Sequence, residues 1–298
     1  MRKWQTTGLV ILVVLAVLLV QGLVLGTGKA EQKEHVESTG IRRITVVDMN
    51  TPVEVLPSQE GAVRLEYMET RFVRYEIARD GDHLTVRAVN TRKWYDLAFR
   101  REPSRLLRLY IPSELASLSL GTSNAQIDLK TPLQAGEFSL ASSNGRLRAD
   151  AGSLHVMGNA VLTTSNAGID LANAQFDADL FVRSSNGELT LKDIDVQYGE
   201  LRTSNGAIHL DGVEAQKGLT AETSNGKIVA EALSTQDGAL ALHTSNANVT
   251  GTIQGPIGRF AITSRTSNGD NSLPAKQDGG PASLAVETSN GKIDVRFE

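Results

Sequence analysis

RSSNGELTLKDIDVQYGELRTSNGAIHLDGVEAQKGLTAETSNGKIV, residues 183–229, states one short phrase three times. A hydroxyl residue, Ser-Asn and Gly are followed by apolar residues at every second position. Across residues 117–298 the Ser-Asn pair occurs nine times, at Asn124, Asn144, Asn166, Asn186, Asn205, Asn225, Asn246, Asn268 and Asn290. Successive asparagines are 20, 22, 20, 19, 20, 21, 22 and 22 residues apart. Thr or Ser precedes each pair, from Thr122 to Thr288, and Gly or Ala follows it. Three residues after the asparagines come Ile127, Leu147, Ile169, Leu189, Ile208, Ile228, Val249, Asn271 and Ile293. Four residues before them come Leu120, Leu140, Leu162, Val182, Leu201, Ala221, Leu242, Ser264 and Val286.

Alternation on both sides of a small-residue bend reads as strand, bend, strand. A third apolar point at Ile194, Val213 and Leu233, followed by Gly199, Gly218 and Gly238, closes a circuit. Recurrence near 20 residues is the mark of a solenoid, in which each repeat buries its apolar edge only against its neighbours. The expectation is an all-β, parallel β-solenoid of about nine coils, stacked about 4.8 Å apart. Like residues then lie above one another, so the nine asparagines form a structural ladder of side-chain amides. Asn also tolerates the left-handed backbone that a sharp bend can require. The Thr/Ser column shares the parity of the inward leucines and predicts a second, hydroxyl ladder. Asn-Gly between alternating runs is also a hairpin signal. Ala125, Ala167 and Ala247 replace the glycine, however, and alanine is poor at the positive φ of a primed turn.

The phrase IPSELASLSLGTSNAQIDL, residues 111–129, followed by repeated TSNG-x-I-x-L, resembles the bacterial "putative adhesin" family of β-strand repeats, DUF4097 type. The match runs over about residues 40–298. The resemblance implies a β-solenoid, often exported or membrane-attached, with no catalytic residues to carry over. The chain departs from the pattern at Ser264 and Asn271, which stand in apolar columns, and at LPAKQDGGPAS, residues 273–283. A loop bulging from the rod is expected there.

Upstream, residues 41–116 alternate at Ile44 and Val46, Val53 and Val55, Val63 to Tyr67, and Leu84 to Ala88, which predicts an N-terminal β module. Its aromatics Tyr67, Phe72, Tyr75, Trp94, Tyr95, Phe99 and Tyr110 read as packing residues rather than a sugar platform. Residues 29–40 are polar and read as a linker. Before them, residues 8–28 (GLVILVVLAVLLVQGLVLGTG) are long enough for one transmembrane helix. Arg2 and Lys3 favour a cytoplasmic N-terminus. An uncleaved signal anchor is the leading reading of 1–28, and a signal peptide cut after Ala30 the alternative. Either route sends the rest out of the cytoplasm: a single-pass protein of the cell membrane with an extracytoplasmic C-terminal domain, or a secreted one.

The composition of the 298 residues excludes several classes. There is no cysteine, so disulfides, thiolate metal sites and cysteine nucleophiles are ruled out. A net charge of −4 and a pI near 5.8 argue against nucleic acid as a partner. His35, His83, His155, His209 and His243 have no metal-ligand spacing, and no nucleophile elbow, phosphate loop or dinucleotide fingerprint occurs. No catalytic residue, metal or cofactor is therefore assigned. Asp128, Asp170 and Asp294 share an outward column but not adjacent coils, and Arg183, Arg202, Glu222 and His243 share another; both read as solvated faces. An ice-binding face is disfavoured because the Thr column points inward.

These observations describe a non-enzymatic, adhesin-like binding or scaffold protein of the bacterial cell envelope, contacting a protein or polysaccharide through one rod face. An envelope-stress or signalling accessory that binds a membrane partner is the alternative. A β-helix carbohydrate enzyme is the weaker third. The last strand pattern, KIDVRFE at residues 292–298, predicts an exposed terminal edge partly plugged by Phe297, and from it end-to-end self-association.

Overall fold

The computed structural model describes residues 30–37, 39–59, 61–92 and 104–298. Residues 8–28, with their anchor or signal-peptide reading, and Trp94, Tyr95 and Phe99 lie outside these. Among the described residues, no helix is long and apolar enough to cross a membrane.

The chain is a parallel β-solenoid of about eight turns. Each coil has three sides: a strand before the Ser-Asn bend, a strand after it, and a short third strand. Coils pair in register, Leu189 with Ile208 and Leu201 with Ala221, then Ile208 with Ile228. Both predicted apolar columns point inward and are buried to within 1% exposure through the regular coils, as are Ile194, Val213 and Leu233 of the third side. Each buried Leu or Ile contributes roughly 1.5–3 kcal/mol, and stacking identical side chains repeats that gain at every coil.

The bend is built differently from the expectation. The Thr hydroxyls do not chiefly bond one another. In a typical coil, Thr223 Oγ1 accepts the N–H of Gly226 at 3.2 Å and donates to the carbonyl of Gly206 in the preceding coil at 3.0 Å. Thr203 does the same with Gly206 and Gly187. Hydroxyl pairing occurs between Thr122 and Ser142, at 3.1 Å. The ladder asparagines have no left-handed backbone either. Among the described residues, positive φ outside glycine is confined to Asn173, Asp193 and Ala232, at 53°, 51° and 52°. These stand seven residues after the ladder asparagines, at the second corner, stacked with Gly212 (φ 64°). Gly follows Asn for closeness: a Cβ on Gly206 would lie 1.9 Å from the Gly187 carbonyl oxygen.

The N-terminal β region starts the stack. Strands β1 (Glu31–Glu37), β2 (Arg43–Val47), β3 (Val53–Pro57), β4 (Val63–Glu69), β5 (Val73–Asp80), β6 (His83–Asn90), β7 (Leu107–Ile111), β8 (Glu114–Gly121) and β9 (Ile127–Leu129) continue the stack. β2 pairs with β8, Val46 opposite Leu120, and β3 with β9, Val53 opposite Ile127. Residues 43–57 are therefore the first coil, and β6 and β7 lie outside it. Beyond them the chain turns antiparallel, β5 on β6 and β4 on β7, which ends the parallel repeat.

The polar segment read as a linker forms β1, antiparallel to β4 along its whole length. It docks through charge. Lys33 Nζ donates to buried Glu69 at 2.8 Å, and Glu37 accepts from Arg79 at 3.0 Å. Lys33, His35 and Glu37 stand where a further coil would present apolar side chains, so they blunt this end.

At the far end the coils leave sequence order. Strand Ala282–Glu287 lies between Ala239–Thr244 and Phe260–Arg265, pairing in parallel with both. The chain climbs past one level at residues 254–259, lays down coil 260–271, and returns to fill the gap. The C-terminal strand Ile293–Phe297 pairs along one edge with Val249–Ile253, and on the other meets Asn271 at Ile293 and the Ser272 hydroxyl at Val295, so the predicted exposed edge is covered in part. Phe297 is half-buried and packs on Phe260, ring centroids 5.4 Å apart. The terminal coil is the irregular one. Its outer edge is covered by Lys276–Gln277, antiparallel to Ile262–Thr263. Ser264 donates to the Pro274 carbonyl at 2.8 Å and accepts from Asn271 at 2.8 Å. Polar residues fill apolar columns there because no further coil covers them.

Two outcomes follow for stability. Thr223→Val strands the buried Gly226 N–H and Gly206 carbonyl and should cost about 1–3 kcal/mol, read as a lower urea midpoint. Glu69 is pushed up by burial, but the Lys33 ammonium and the Tyr75 N–H outweigh this and hold it below its ordinary 4.5. A lowered pKa gives stability that is present above the unfolded value and lost as pH falls through the folded one. Protection of the β1 amides against exchange should therefore fall as pH drops below the ordinary 4.5 of Glu69, before protection in the central coils does.

Candidate functional surface

Both ends of the rod are capped, which leaves the sides. Along the bend edge runs the amide ladder. Each Asn Nδ2 donates to the Oδ1 of the preceding coil at 2.6–2.8 Å. All nine predicted asparagines take part, and Asn124 donates onward to a tenth, Asn50, at 2.6 Å. At the far end the order is Asn246, Asn290, Asn268, following the inserted coil. Nine steps of ~4.8 Å make a row about 43 Å long, exposed throughout. All amides point the same way, so the row has a donor end at Asn50 and an acceptor end at Asn268.

Asn50 escaped the sequence reading because Met49 and Thr51 flank it instead of Ser and Gly. The spacing was present: Val46 lies four residues before it and Val53 three after. Asp48 stands in the hydroxyl column. It is buried, and its Oδ1 accepts the N–H of Thr51 at 2.9 Å, the role Thr plays elsewhere. Its Oδ2 accepts the Tyr75 phenol at 2.5 Å. Burial, with the Asp48 charge beside it, pushes the Tyr75 phenol far up. Tyr75 also packs on Tyr67, centroids 4.9 Å apart, so these aromatics are packing residues.

On the side before the bend, the Arg183, Arg202, Glu222 and His243 column is internally paired. Arg183 and Arg202 both reach Glu200, at 2.7 and 2.9 Å. His243 meets Glu287 of the inserted coil at 3.3 Å, not Arg265, its neighbour in the next sequence repeat. On the side after the bend, charges alternate along the rod: Glu34, Arg64, Glu66, Arg108, Glu54 and Lys130 are linked at 2.7–3.6 Å. Lys130 and Arg108 draw Glu54 below the ordinary carboxylate range. Further along, Asp170 holds Arg146 at 2.8 Å and raises its guanidinium, while Lys292 lowers Asp294. On the third side His155 Nε2 donates to Asp177 at 2.7 Å and holds that carboxyl below its ordinary range. His209 lies 3.4 Å from Glu188.

These are solvated, mutually neutralised faces. Asp128, Asp170 and Asp294 are not brought together as an acid pair. Among the described residues, no group of three or more His, Asp or Glu could hold a metal ion. One open depression of about 560 Å³ lies where coil 246–253 cuts the second corner, Gly251 and Ile253 matching Ala230 and Leu233. Asp211, Glu231, Thr250, Thr252, Asp294 and Arg296 line it, a set that can bond the hydroxyls of a polar chain but holds no nucleophile–base pair.

The family model described as Toastrack DUF4097 matches residues 41–298, the span of the stack from its first coil to its last. The chain belongs to the toastrack DUF4097 family. The toastrack chain is similar to a solved structure from Parabacteroides distasonis described as a "putative adhesin", 16% identical, covering 92% of this chain and 98% of that one at a TM-score of 0.45. A second from that species, described as a "putative lipid binding protein", is 13% identical over 92% and 98% at 0.47. A "putative adhesin" from Parabacteroides merdae is 16% identical over 92% and 98% at 0.43. No curated protein matches the chain.

The ladder gives this toastrack surface a direct test. Asn205→Leu removes one rung from an exposed row, so the loss should stay near 0.5–1.5 kcal/mol, smaller than for Thr223→Val. Equal urea-midpoint shifts for the two would contradict the division between exposed amide and buried hydroxyl.

Proposed function

We propose that this toastrack chain is a non-enzymatic binding or scaffold protein of a bacterial cell envelope, held to the membrane through residues 8–28 and working through the sides of its rod. The observation that carries this reading is the capping of both ends while the asparagine row runs unbroken along the bend edge. A partner then meets equivalent groups every ~4.8 Å, and many weak contacts sum without a deep pocket. The partner is an extended polysaccharide or protein rather than a small molecule. Paired charges and the open depression offer hydrogen bonds to a hydroxyl-rich chain.

The placement of β1 suits the anchoring. It begins at Glu31 and is the outermost described strand of the N-terminal end, so little chain separates residue 28 from the rod. The rod would stand on the outer membrane face with its capped end inward and coil 260–271 outermost. Cleavage after Ala30 would release the same rod.

The test uses cells expressing the full chain with a C-terminal tag. After conversion to spheroplasts, the tag should sediment with membranes and be lost to external protease. Protection in intact spheroplasts with full digestion after lysis would place the rod in the cytoplasm and overturn the proposal. Release of the tag into the medium would select the cleaved form.

A further inference from the structure

The inserted coil has a consequence beyond rod building. Residues 282–297 fill a level that the preceding chain has skipped. Before the bend, Leu284 and Val286 lie between Leu240 and Leu242 on one side and Ile262 and Ser264 on the other. After the bend, Ile293, Val295 and Phe297 pair with Val249, Gly251 and Ile253. Leu284, Val286, Ile293 and Val295 are buried. The bend joins both neighbours too: Asn290 N–H donates to the Ser245 carbonyl at 3.0 Å and Asn268 N–H to the Ser289 carbonyl at 3.0 Å. Without this segment the rod would present two facing parallel edges, one level apart.

Residues 272–281 lead into the segment from the coil beyond it. The returning chain crosses close under residues 258–260, where a Cβ on Gly279 would fall 1.9 Å from the Phe260 carbonyl oxygen. Gly280 and Pro281 then lie exposed before the strand begins. The strap that skips the level is fastened by Arg259, which donates to the Thr235 carbonyl at 3.2 Å and to that of Gln236. The strap also touches the insert, Gly255 N–H donating to the Glu298 carbonyl at 2.5 Å, so drawing the insert out breaks that bond along with the ladder bonds.

We propose that residues 282–298 are a separable rung, and that the slot between strands Ala239–Thr244 and Phe260–Arg265 accepts the corresponding rung of a second copy of this chain. Recognition is by strand addition: backbone hydrogen bonds on both sides give affinity, and the inward Leu284, Val286, Ile293 and Val295 fix register. In the central coils the chain before and after each coil lies in the adjacent level. This one is entered from the far side across a level already skipped, so drawing it out leaves the order of the other coils unchanged. Exchange between copies joins two rods at their distal ends, by swapping an identical element, not by stacking capped ends.

The experiment starts from the full chain with a protease recognition sequence inserted between Gly280 and Pro281, cut after folding. The freed segment should stay with the rod in gel filtration, and a fluorescent peptide of residues 282–298 in excess should replace it. A peptide carrying Ile293→Asp should compete ~100-fold less well, because it puts a carboxylate into the core. For exchange between copies, Ser283→Cys chain bearing a donor dye is warmed and cooled with Thr263→Cys chain bearing an acceptor. Energy transfer should appear in a dimer-sized fraction. The proposal is overturned if the peptide does not enter the cut rod, if the Ile293→Asp peptide competes equally, or if the mixed copies remain monomeric without transfer.

Discussion

A coil that turns sharply must satisfy the backbone groups at each bend that the bonds to the bend beneath it leave over. Unpaired buried groups there would cost about 1–3 kcal/mol each, repeated along the rod. In the coils with Gly after Asn, coil 260–271 aside, the hydroxyl two residues before the Asn removes that cost by tying its own bend and the bend beneath it: as at Thr203, Thr223 and Thr288, it accepts within the coil and donates to the coil below. The residues around it follow from this contact. Glycine comes three positions later because the two bends approach within a carbonyl's reach. Asn is turned outward, where its amide can join only the amides above and below. The strands on either side inherit their register from the bend, which stacks leucine on leucine.

The same constraint explains how the stack begins and ends. A repeat that presents bend and edges in register invites further copies. At the N-terminal end Asp48 closes the first bend in place of Thr, and its second oxygen is taken by Tyr75. That bond ties the first coil to β5 of the antiparallel cap, and Lys33, His35 and Glu37 complete the blunting. At the distal end Ser264 and Asn271 bond each other and the 273–277 loop, which is why they sit in columns otherwise apolar. Folding must also differ between the ends. The central coils can stack as the chain emerges, whereas coil 260–271 has a level missing beneath it until residues 282–297 arrive.

Much of this was legible in the sequence. Period, apolar columns and the outward amide row follow from alternation and spacing, and all nine predicted asparagines join the ladder. The hydroxyl column was legible as inward but not as to its partner, because stacked hydroxyls can bond each other or the backbone, and only the approach of the bends decides. Asn50 was hidden by its flanks although Val46 and Val53 kept the spacing. β1 was misread because its pairing depends on charges at Glu69 and Arg79, distant in sequence. The coil exchange at the distal end leaves no trace in spacing: Asn246, Asn268 and Asn290 are 22 residues apart whichever order they stack in. Only the polar residues at Ser264 and Asn271 marked that coil as terminal. No catalytic or ligand-holding constellation was read from the sequence, and the faces that might have held one carry paired charges.

The order of the last coils tests the account most directly. The chain has no cysteine, so engineered pairs report without interference. The structure places Ser289 on Ser245, its N–H donating to the Ser245 carbonyl at 3.1 Å, and Ser267 one level further. Adjacent levels, ~4.8 Å apart, are within disulfide reach, and levels ~9.6 Å apart are not. Under mild oxidation the Ser245→Cys, Ser289→Cys chain should form an intramolecular disulfide, and the Ser245→Cys, Ser267→Cys chain should stay reduced. A disulfide in the second pair and none in the first would mean that the coils stack in sequence order and would contradict the account.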